Sequence, residues 1–187
     1  MNHLLMDLQL LTPKLYLPTL ADIDFAALAS QGIFYYCLDL DNTLAPRTGQ
    51  HPLPQQAEAL YKAREAGYIR AICLVSNIIC GEARRQRVAR FAAELDTPYY
   101  VAASFWERKP SPKPFRLAMQ MMNSQPSNTA CVGDQLFTDI VGGNKLGLYS
   151  ILVKPMGDDH WTTRLTRRRC REKKVLQRLG LEHLSAD

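Results

Sequence analysis

The chain has no long apolar run, no internal repeat and no pair of cysteines at metal-ligand spacing. No stretch approaches the ~18 consecutive apolar residues of a membrane-spanning helix, so a spanning segment is not expected. The N-terminus lacks the positive start and long apolar core of a secretory signal. Its five cysteines include no CxxC spacing, which argues against a zinc site or a redox pair. We therefore expect a cytoplasmic protein in a reducing compartment.

The composition is that of an ordinary globular domain, with charge that is unevenly placed. Of 187 residues, 47% are hydrophobic and 22% are charged, which is typical of one folded domain with a sizeable core. Between residues 154 and 178 nine basic residues and three acids give a net charge of +6, against +5 for the whole chain. Such a cluster can bind anionic lipid headgroups or nucleic acid phosphates, or it can be a solvated surface.

Hydrophobic runs alternate with helix-forming segments along most of the chain. This alternation predicts an α/β fold with a parallel, doubly wound sheet and helices on both faces. Strands are predicted near residues 33–39, 70–75, 98–102, 129–132 and 149–153, and helices near 22–30, 54–66, 81–93, 113–122, 136–145 and 162–178. Residues 12–18 are predicted to be an extended connector.

The whole chain, residues 1–187, is predicted to be a single domain. Residues 1–21 would form an N-terminal extension, and residues 154–187 a basic helical tail. In the extension, Leu4, Leu5, Leu8 and Leu11 share one helical face, which could pack on the core or lie at a bilayer surface.

Two acids follow the first predicted strand, in the run Asp39-Leu40-Asp41. Because side chains alternate along a strand, Asp39 and Asp41 point the same way. Two carboxylates in one small space are costly unless a cation joins them or one takes a proton. The pair therefore indicates a Mg²⁺ site or a nucleophile beside an acid. The alternative is a pair of surface acids that cap the next turn.

Polar residues also end the next strand and open a proline-rich turn. Ser76 and Asn77 could donate to a phosphoryl oxygen, or they could cap the following helix. In the run Lys109-Pro110-Ser111-Pro112-Lys113, prolines stiffen the chain and can hold an ammonium group for phosphate. Lys109 is preferred because it precedes the turn, but Lys113 stays open, as does a solvated surface loop.

A fourth signal lies after the strand that ends at Gly133. Asp134 and Asp139 flank a tight turn, and Gly133 would allow a close backbone approach. Asp134 can complete a cation site made of oxygen ligands, while Asp139 can orient Asp134 or the lysine. The alternative is a helix N-terminus with favourable acids in its first turn.

Taken in this order, the four motifs resemble those of phosphatases of the haloacid dehalogenase (HAD) superfamily over residues 33–153. The resemblance implies a three-layer α/β/α fold and makes Asp39 the nucleophile, which forms an aspartyl-phosphate. Asp41 would be the general acid and later the base. Mg²⁺ would be held by Asp39, the main-chain carbonyl of Asp41, and Asp134. The remaining roles implied are phosphoryl binding by Ser76, Lys109 and Asn77, and support by Asp139.

The motif spacing leaves no room for a cap domain. Only 34 residues separate Asp41 from Ser76, and 32 separate Ser76 from Lys109. The active site should therefore be open, which suits a substrate whose bulk lies elsewhere, such as a lipid, a protein or a nucleic acid end.

A closer resemblance, over residues 10–180, is to the YqeG-type subgroup of capless HAD phosphatases. It is carried by Asp22-Ile23-Asp24-Phe25, by residues 38–44, by residues 132–139, by Gly142-Gly143-Asn144 and by Arg164-Leu165-Thr166-Arg167. This subgroup is related to phosphatidylglycerophosphate phosphatases, which implies conversion of phosphatidylglycerophosphate to phosphatidylglycerol.

Two other functions stay open. One is a HAD phosphatase of a soluble sugar or nucleotide phosphate, and the other is a nucleic-acid-binding protein on a HAD scaffold. The expected partner is an anionic phospholipid or a membrane surface, contacted through the basic tail, with peripheral attachment to the inner face of a membrane as an open alternative. No nucleic acid is expected, because the sequence offers no base-reading aromatic module.

Overall fold

The computed structural model describes residues 8–78, 81–104, 106–157 and 168–181. Six strands lie in this part of the chain: β1 (Leu15–Leu17), β2 (Tyr35–Leu38), β3 (Ala71–Asn77), β4 (Tyr99–Ala103), β5 (Thr129–Gly133) and β6 (Tyr149–Val153). They form one parallel sheet in the order β1-β6-β5-β2-β3-β4. The predicted α/β fold with a parallel sheet is confirmed.

The connections between the strands are mostly helical. The helices are α1 (Phe25–Ser30), α2 (Pro54–Glu65), α3 (Glu82–Glu94), α4 (Lys113–Met122), α5 (Val141–Asn144) and α6 (Arg168–Arg178). Short 3-10 turns cover Leu20–Asp22 and Pro126–Asn128, and a π turn covers Leu136–Ile140. Among the described residues, one helix lies between Asp41 and Ser76, and one helix with one strand lies between Ser76 and Lys109.

The sheet separates two apolar cores because side chains alternate along each strand. On one face, Tyr36 and Leu38 pack with residues of α1, α2 and α3. On the other face, Cys37 packs beneath α4 with Cys73 and Cys131. These three thiols lie side by side in register on β3, β2 and β5. They are free cysteines, and burial raises the pKa of Cys73 and Cys131 to about 12.

A third apolar cluster fixes α6 against the edge of the sheet. Leu176 of α6 packs against Tyr16 of β1, Leu152 of β6 and Leu136, with Leu11 at its margin. The basic tail therefore contributes to the core through one face of its helix. The first part of the predicted helix, residues 162–167, lies outside the described residues, as do Leu4 and Leu5.

The prediction of a connector over residues 12–18 was wrong. Leu15–Leu17 is β1, and Leu15 pairs with Ile151 of β6. Leu20, just beyond it, is fully buried, so this part of the chain contributes to the core. A strand of three residues is too short to show the hydrophobic alternation by which strands are predicted, and its pairing partner lies far along the chain.

Two predicted helices are present but differ from the prediction in their local geometry. The helix expected over residues 22–30 is a 3-10 turn followed by α1, because the Asp24 carboxylate accepts from the Ala27 amide at 2.9 Å and starts a new helix. The helix expected over 136–145 is the π turn followed by the short α5. Within the described residues, no helix combines the length and apolarity needed to cross a bilayer.

Candidate active site

The predicted site residues meet at the carboxyl edge of the central strands. Asp39 directly follows β2, Ser76 and Asn77 end β3, and Asp134 directly follows β5. Since β2 pairs with both β3 and β5, these ends are neighbours. In open parallel sheets, this edge is where ligands bind.

Lys109 lies buried at the centre of the site. Its Nζ is 2.6 Å from Oδ1 of Asp39 and 2.6 Å from Oδ1 of Asp139, and it donates to the carbonyl of Val75 at 2.7 Å. Burial favours the neutral amine, but the two carboxylates outweigh it and raise the pKa of Lys109. The site therefore contains a fixed positive charge.

The loop before α4 brings Lys109 into the site and keeps Lys113 out of it. The side-chain amide of Asn77 accepts from the Lys109 amide at 2.8 Å and donates to its carbonyl at 3.1 Å. Lys113, by contrast, has a side chain 63% exposed, with its Nζ 3.2 Å from Glu107. Asn77 thus holds the main chain of Lys109, a role that the sequence did not indicate.

Two of the acids have pKa values shifted upward by their burial. Burial, reinforced by Asp139 and Asp41 and opposed by Lys109, raises the pKa of Asp39 to about 7. Burial also raises the pKa of Asp134 well above its usual range, against the opposing charge of Arg169. In both cases, the carboxylate lacks positive charge sufficient to offset its lost hydration.

Three carboxylates form a cluster that fits a divalent cation. One oxygen each of Asp39, Asp134 and Asp139 lies within 4.8 Å of the others. Oδ1 of Asp134 is buried and has no hydrogen-bond partner among the described residues. A buried lone pair without a donor is costly, and a cation that takes oxygen ligands, such as Mg²⁺, would satisfy it.

Asp139 forms an ion pair with Lys109. Besides its ion pair with Lys109, it accepts from the Gln135 amide through Oδ2 at 3.1 Å. A methyl group on Gly133 would lie 2.6 Å from Cβ of Asp139, so the close approach expected at Gly133 is made by this side chain. Of the two partners proposed for Asp139 from the sequence, the lysine is the one it contacts.

Asp41 lies at the margin of the site in a group of arginines. Its Oδ1 accepts from Arg87 at 2.6 Å, and its Oδ2 lies 3.6 Å from Arg47 and 4.0 Å from Arg84. Asn42 forms a turn after β2, with a left-handed φ of 62° and an amide that donates to the Ala45 carbonyl at 2.7 Å.

A second arginine contact comes from the basic tail. Arg169 of α6 pairs with the carboxylate of Asp134 and donates to its main-chain carbonyl at 2.6 Å. It also donates to Glu172, itself buried, at 2.9 Å. In the sequence, Arg169 is one of nine basic residues between 154 and 178, and nothing there marks it as the one that contacts a predicted metal ligand.

Ser76 is 5% exposed and immediately follows Val75, whose carbonyl accepts from Lys109. This position beside the Lys109 ammonium suits a hydroxyl that would bind a phosphoryl group together with that lysine.

A family model described as mitochondrial PGP phosphatase matches residues 1–156. The chain belongs to this family. A relative from Bacillus subtilis, described as probable phosphatase YqeG, is 34% identical over 130 residues, which cover 69% of each chain. The resemblance to YqeG-type HAD phosphatases is therefore confirmed, and the protein is a phosphoric monoester hydrolase of the HAD type.

Two further proteins are similar to this member of the family. A glyceraldehyde 3-phosphate phosphatase from Pyrococcus furiosus is 30% identical over 105 residues, 54% of this chain and 42% of that protein. The crystal structure of an uncharacterized protein from Listeria monocytogenes serotype 4b matches with a TM-score of 0.54 at 16% identity. That match covers 68% of this chain and 84% of the other, and supports the fold.

Proposed function

We propose that the protein removes the terminal phosphate of phosphatidylglycerophosphate and yields phosphatidylglycerol in a Mg²⁺-dependent reaction. The observation that carries the proposal is the buried group of Asp39, Asp134, Asp139 and Lys109 at the sheet edge. It supplies a nucleophile, oxygen ligands for a cation and a fixed positive charge. The family's description directs this chemistry to the phosphatidylglycerol precursor.

The first half-reaction transfers the phosphoryl group to Asp39. Lys109 holds Oδ1 of Asp39 at 2.6 Å, so we assign the attack to Oδ2. A bond forms between Oδ2 and phosphorus while the bond from phosphorus to the glycerol oxygen breaks. Asp41 gives its proton to that oxygen, and Lys109 and Ser76 bind the phosphoryl oxygens.

The second half-reaction restores the nucleophile. A water attacks phosphorus and gives a proton to Asp41, now a base. The bond between Asp39 and phosphorus breaks, and inorganic phosphate leaves. One carboxylate can serve as acid and then as base because the leaving oxygen and the water approach from the same side.

Mg²⁺ would be held by Asp39, Asp134 and the main-chain carbonyl of Asp41. When bound, it supplies charge that offsets the repulsion between an anionic nucleophile and an anionic ester. Asp139 stays with Lys109.

The basic tail supports action at a bilayer surface. α6 begins beside the site, through the contact of Arg169 with Asp134, and buries Leu176. Its outward residues include Arg171, Lys173, Lys174 and Arg178, all exposed. Each basic residue near an anionic membrane adds about 1 kcal/mol of attraction. We propose that this surface docks the enzyme on the membrane that contains its substrate.

The test is phosphate release from phosphatidylglycerophosphate in mixed micelles with Mg²⁺, beside a panel of soluble phosphomonoesters that includes glyceraldehyde 3-phosphate. We expect a strong preference for the lipid, loss of turnover on adding a chelator, and no turnover by Asp39→Asn. Circular dichroism of the variant shows whether the fold is kept. Turnover of the soluble esters alone would leave the phosphatase chemistry and discard the lipid substrate.

A further inference from the structure

Three guanidinium groups surround Asp41, but only one of them, that of Arg87, donates a hydrogen bond to its carboxylate among the described residues. Arg47 lies on the loop after β2, and Arg84 and Arg87 lie on α3. Arg87 donates to Asp41 at 2.6 Å and to the carbonyl of Gly49 at 3.0 Å, and its guanidinium lies 4.8 Å from the ring centre of Phe91. Arg87 is therefore saturated by contacts within the protein, and it fixes the orientation of Asp41.

Arg47 and Arg84 are placed differently. Their separations of 3.6 and 4.0 Å from Oδ2 of Asp41 exceed hydrogen-bond length. Among the described residues, neither side chain donates a hydrogen bond. Both are reachable, since Arg47 is 24% and Arg84 41% exposed in their side chains. These donors are available to a ligand that approaches Asp41 from solvent.

The group carries more positive charge than Asp41 balances. Three guanidiniums and one carboxylate leave an excess of two positive charges, which rises to three when Asp41 carries the proton that the proposed mechanism requires. The repulsion between these like charges is relieved when an anion binds.

The position of Asp41 says which part of a substrate would meet these arginines. In the proposed mechanism, Asp41 protonates the leaving oxygen, so groups beside it face the leaving alcohol. We propose that Arg47 and Arg84 form a second anion-binding subsite, which takes a negatively charged group on the leaving alcohol. The proposal rests on the proposed function for the role of Asp41, but not on the substrate being a lipid.

A phosphodiester is the anion that fits the proposed substrate. Phosphatidylglycerophosphate carries one across the glycerol unit from the phosphate that is removed. Arginine binds phosphate oxygens through paired N–H groups, which a lysine cannot reproduce. The subsite thus selects phosphomonoesters with a second anion and discriminates against esters of neutral alcohols.

The test compares two soluble substrates. One is the deacylated headgroup, glycerophosphoglycerophosphate, which has the second anion but no membrane. The other is p-nitrophenyl phosphate, whose leaving group has none. The quantity measured is kcat/KM for the headgroup divided by kcat/KM for p-nitrophenyl phosphate. We expect Arg84→Ala and Arg47→Ala each to lower this ratio about tenfold, mainly by raising KM for the headgroup. Arg84→Lys should restore part of the ratio, and high salt should reduce it in the wild type.

Arg85→Ala is the matched control, since Arg85 is exposed on the same helix one position along, and it should leave the ratio unchanged. An unchanged ratio in both Arg47→Ala and Arg84→Ala would overturn the subsite. Equal losses on both substrates would also overturn it, because they would show arginines that only position Asp41. A wild type that cleaves the headgroup but not the intact lipid would keep the subsite and discard the lipid substrate.

Discussion

Lys109 shows how a buried charge is held in place by its surroundings. Its ammonium contacts Asp39, Asp139 and the carbonyl of Val75, and Asn77 binds its main chain. An ammonium held by so many partners loses little freedom when a phosphoryl group arrives, since it is already oriented. Such preorganised charge is the main source of electrostatic stabilisation in enzymes.

We expect Lys109→Ala to lower kcat by at least about 10²-fold, because the charge beside the phosphoryl oxygens is lost. Phosphate release from p-nitrophenyl phosphate measures the effect, and thermal melting checks the fold, since Asp39 and Asp139 lose their shared partner. Lys113→Ala is the control: Lys113 is exposed and, within the part of the chain that the structure describes, its ammonium pairs with Glu107, so the activity of this variant should stay near that of the wild type. Comparable losses in the two variants would place the phosphate-binding charge elsewhere.

At the scale of single residues, the sequence predicted those positions that depend on the hydrophobic pattern of the adjacent strand. Asp39, Asp41 and Asp134 follow apolar strands, so their positions at one sheet edge were predictable. The choice between Lys109 and Lys113 depended on the path of a loop, which Asn77 sets from another strand. Nothing distinguishes Arg84 and Arg87 from Arg85 in the sequence, because only the packing of α3 turns two of them towards Asp41.

Among the secondary-structure elements, α6 has two unlike faces. One buries Leu176 and Glu172 and directs Arg169 to Asp134, and the other exposes Arg171, Lys173 and Lys174. The sequence showed the excess charge of this segment but not its division, because the apolar spacing is weak. The same limit applies to β1, whose three residues form a strand only because β6 lies beside them.

We expect Arg169→Ala to reduce the free energy of unfolding by roughly 2–4 kcal/mol, because the buried Asp134 and Glu172 lose a shared positive partner. Urea unfolding without divalent cations measures the change. Added Mg²⁺ should recover part of it if the cation binds Asp134. Arg171→Ala, on the exposed face of the same helix, should change the stability by less than about 0.5 kcal/mol. Equal shifts in the two variants would refute a structural role for the contact with Asp134.

For the whole molecule, basic residues lie at both lateral edges of the sheet, on either side of the central strands that carry the site. α6 packs on β1 and β6, whereas Arg85, Lys113 and Arg116 line a cavity beside β4 at the opposite edge. If α6 docks on a membrane, basic residues at the two edges should differ in their effect on binding.

We expect the triple change Arg171→Glu, Lys173→Glu and Lys174→Glu to weaken binding to vesicles with anionic lipid by about 100-fold or more, at about 1 kcal/mol per charge. Vesicle sedimentation measures it, and turnover of p-nitrophenyl phosphate should be kept. The matched control reverses Arg85, Lys113 and Arg116 and should bind nearly as well as the wild type. Equal weakening in both would indicate net charge as the cause, and no weakening in either would remove the docking role of α6.

The strand order also determines when each strand can pair with its neighbours as the chain is synthesised. β2, β3 and β4 are neighbours that leave the ribosome in succession, but β1, made first, has no partner in the sheet until β6 appears. More than a hundred residues must therefore be synthesised after β1 before its pairing partner β6 is available. Asp134 and Asp139 emerge late as well, so the proposed nucleophile Asp39 is made well before the acids that lie beside it. A nascent chain that ends before β5 therefore lacks both Asp134 and Asp139.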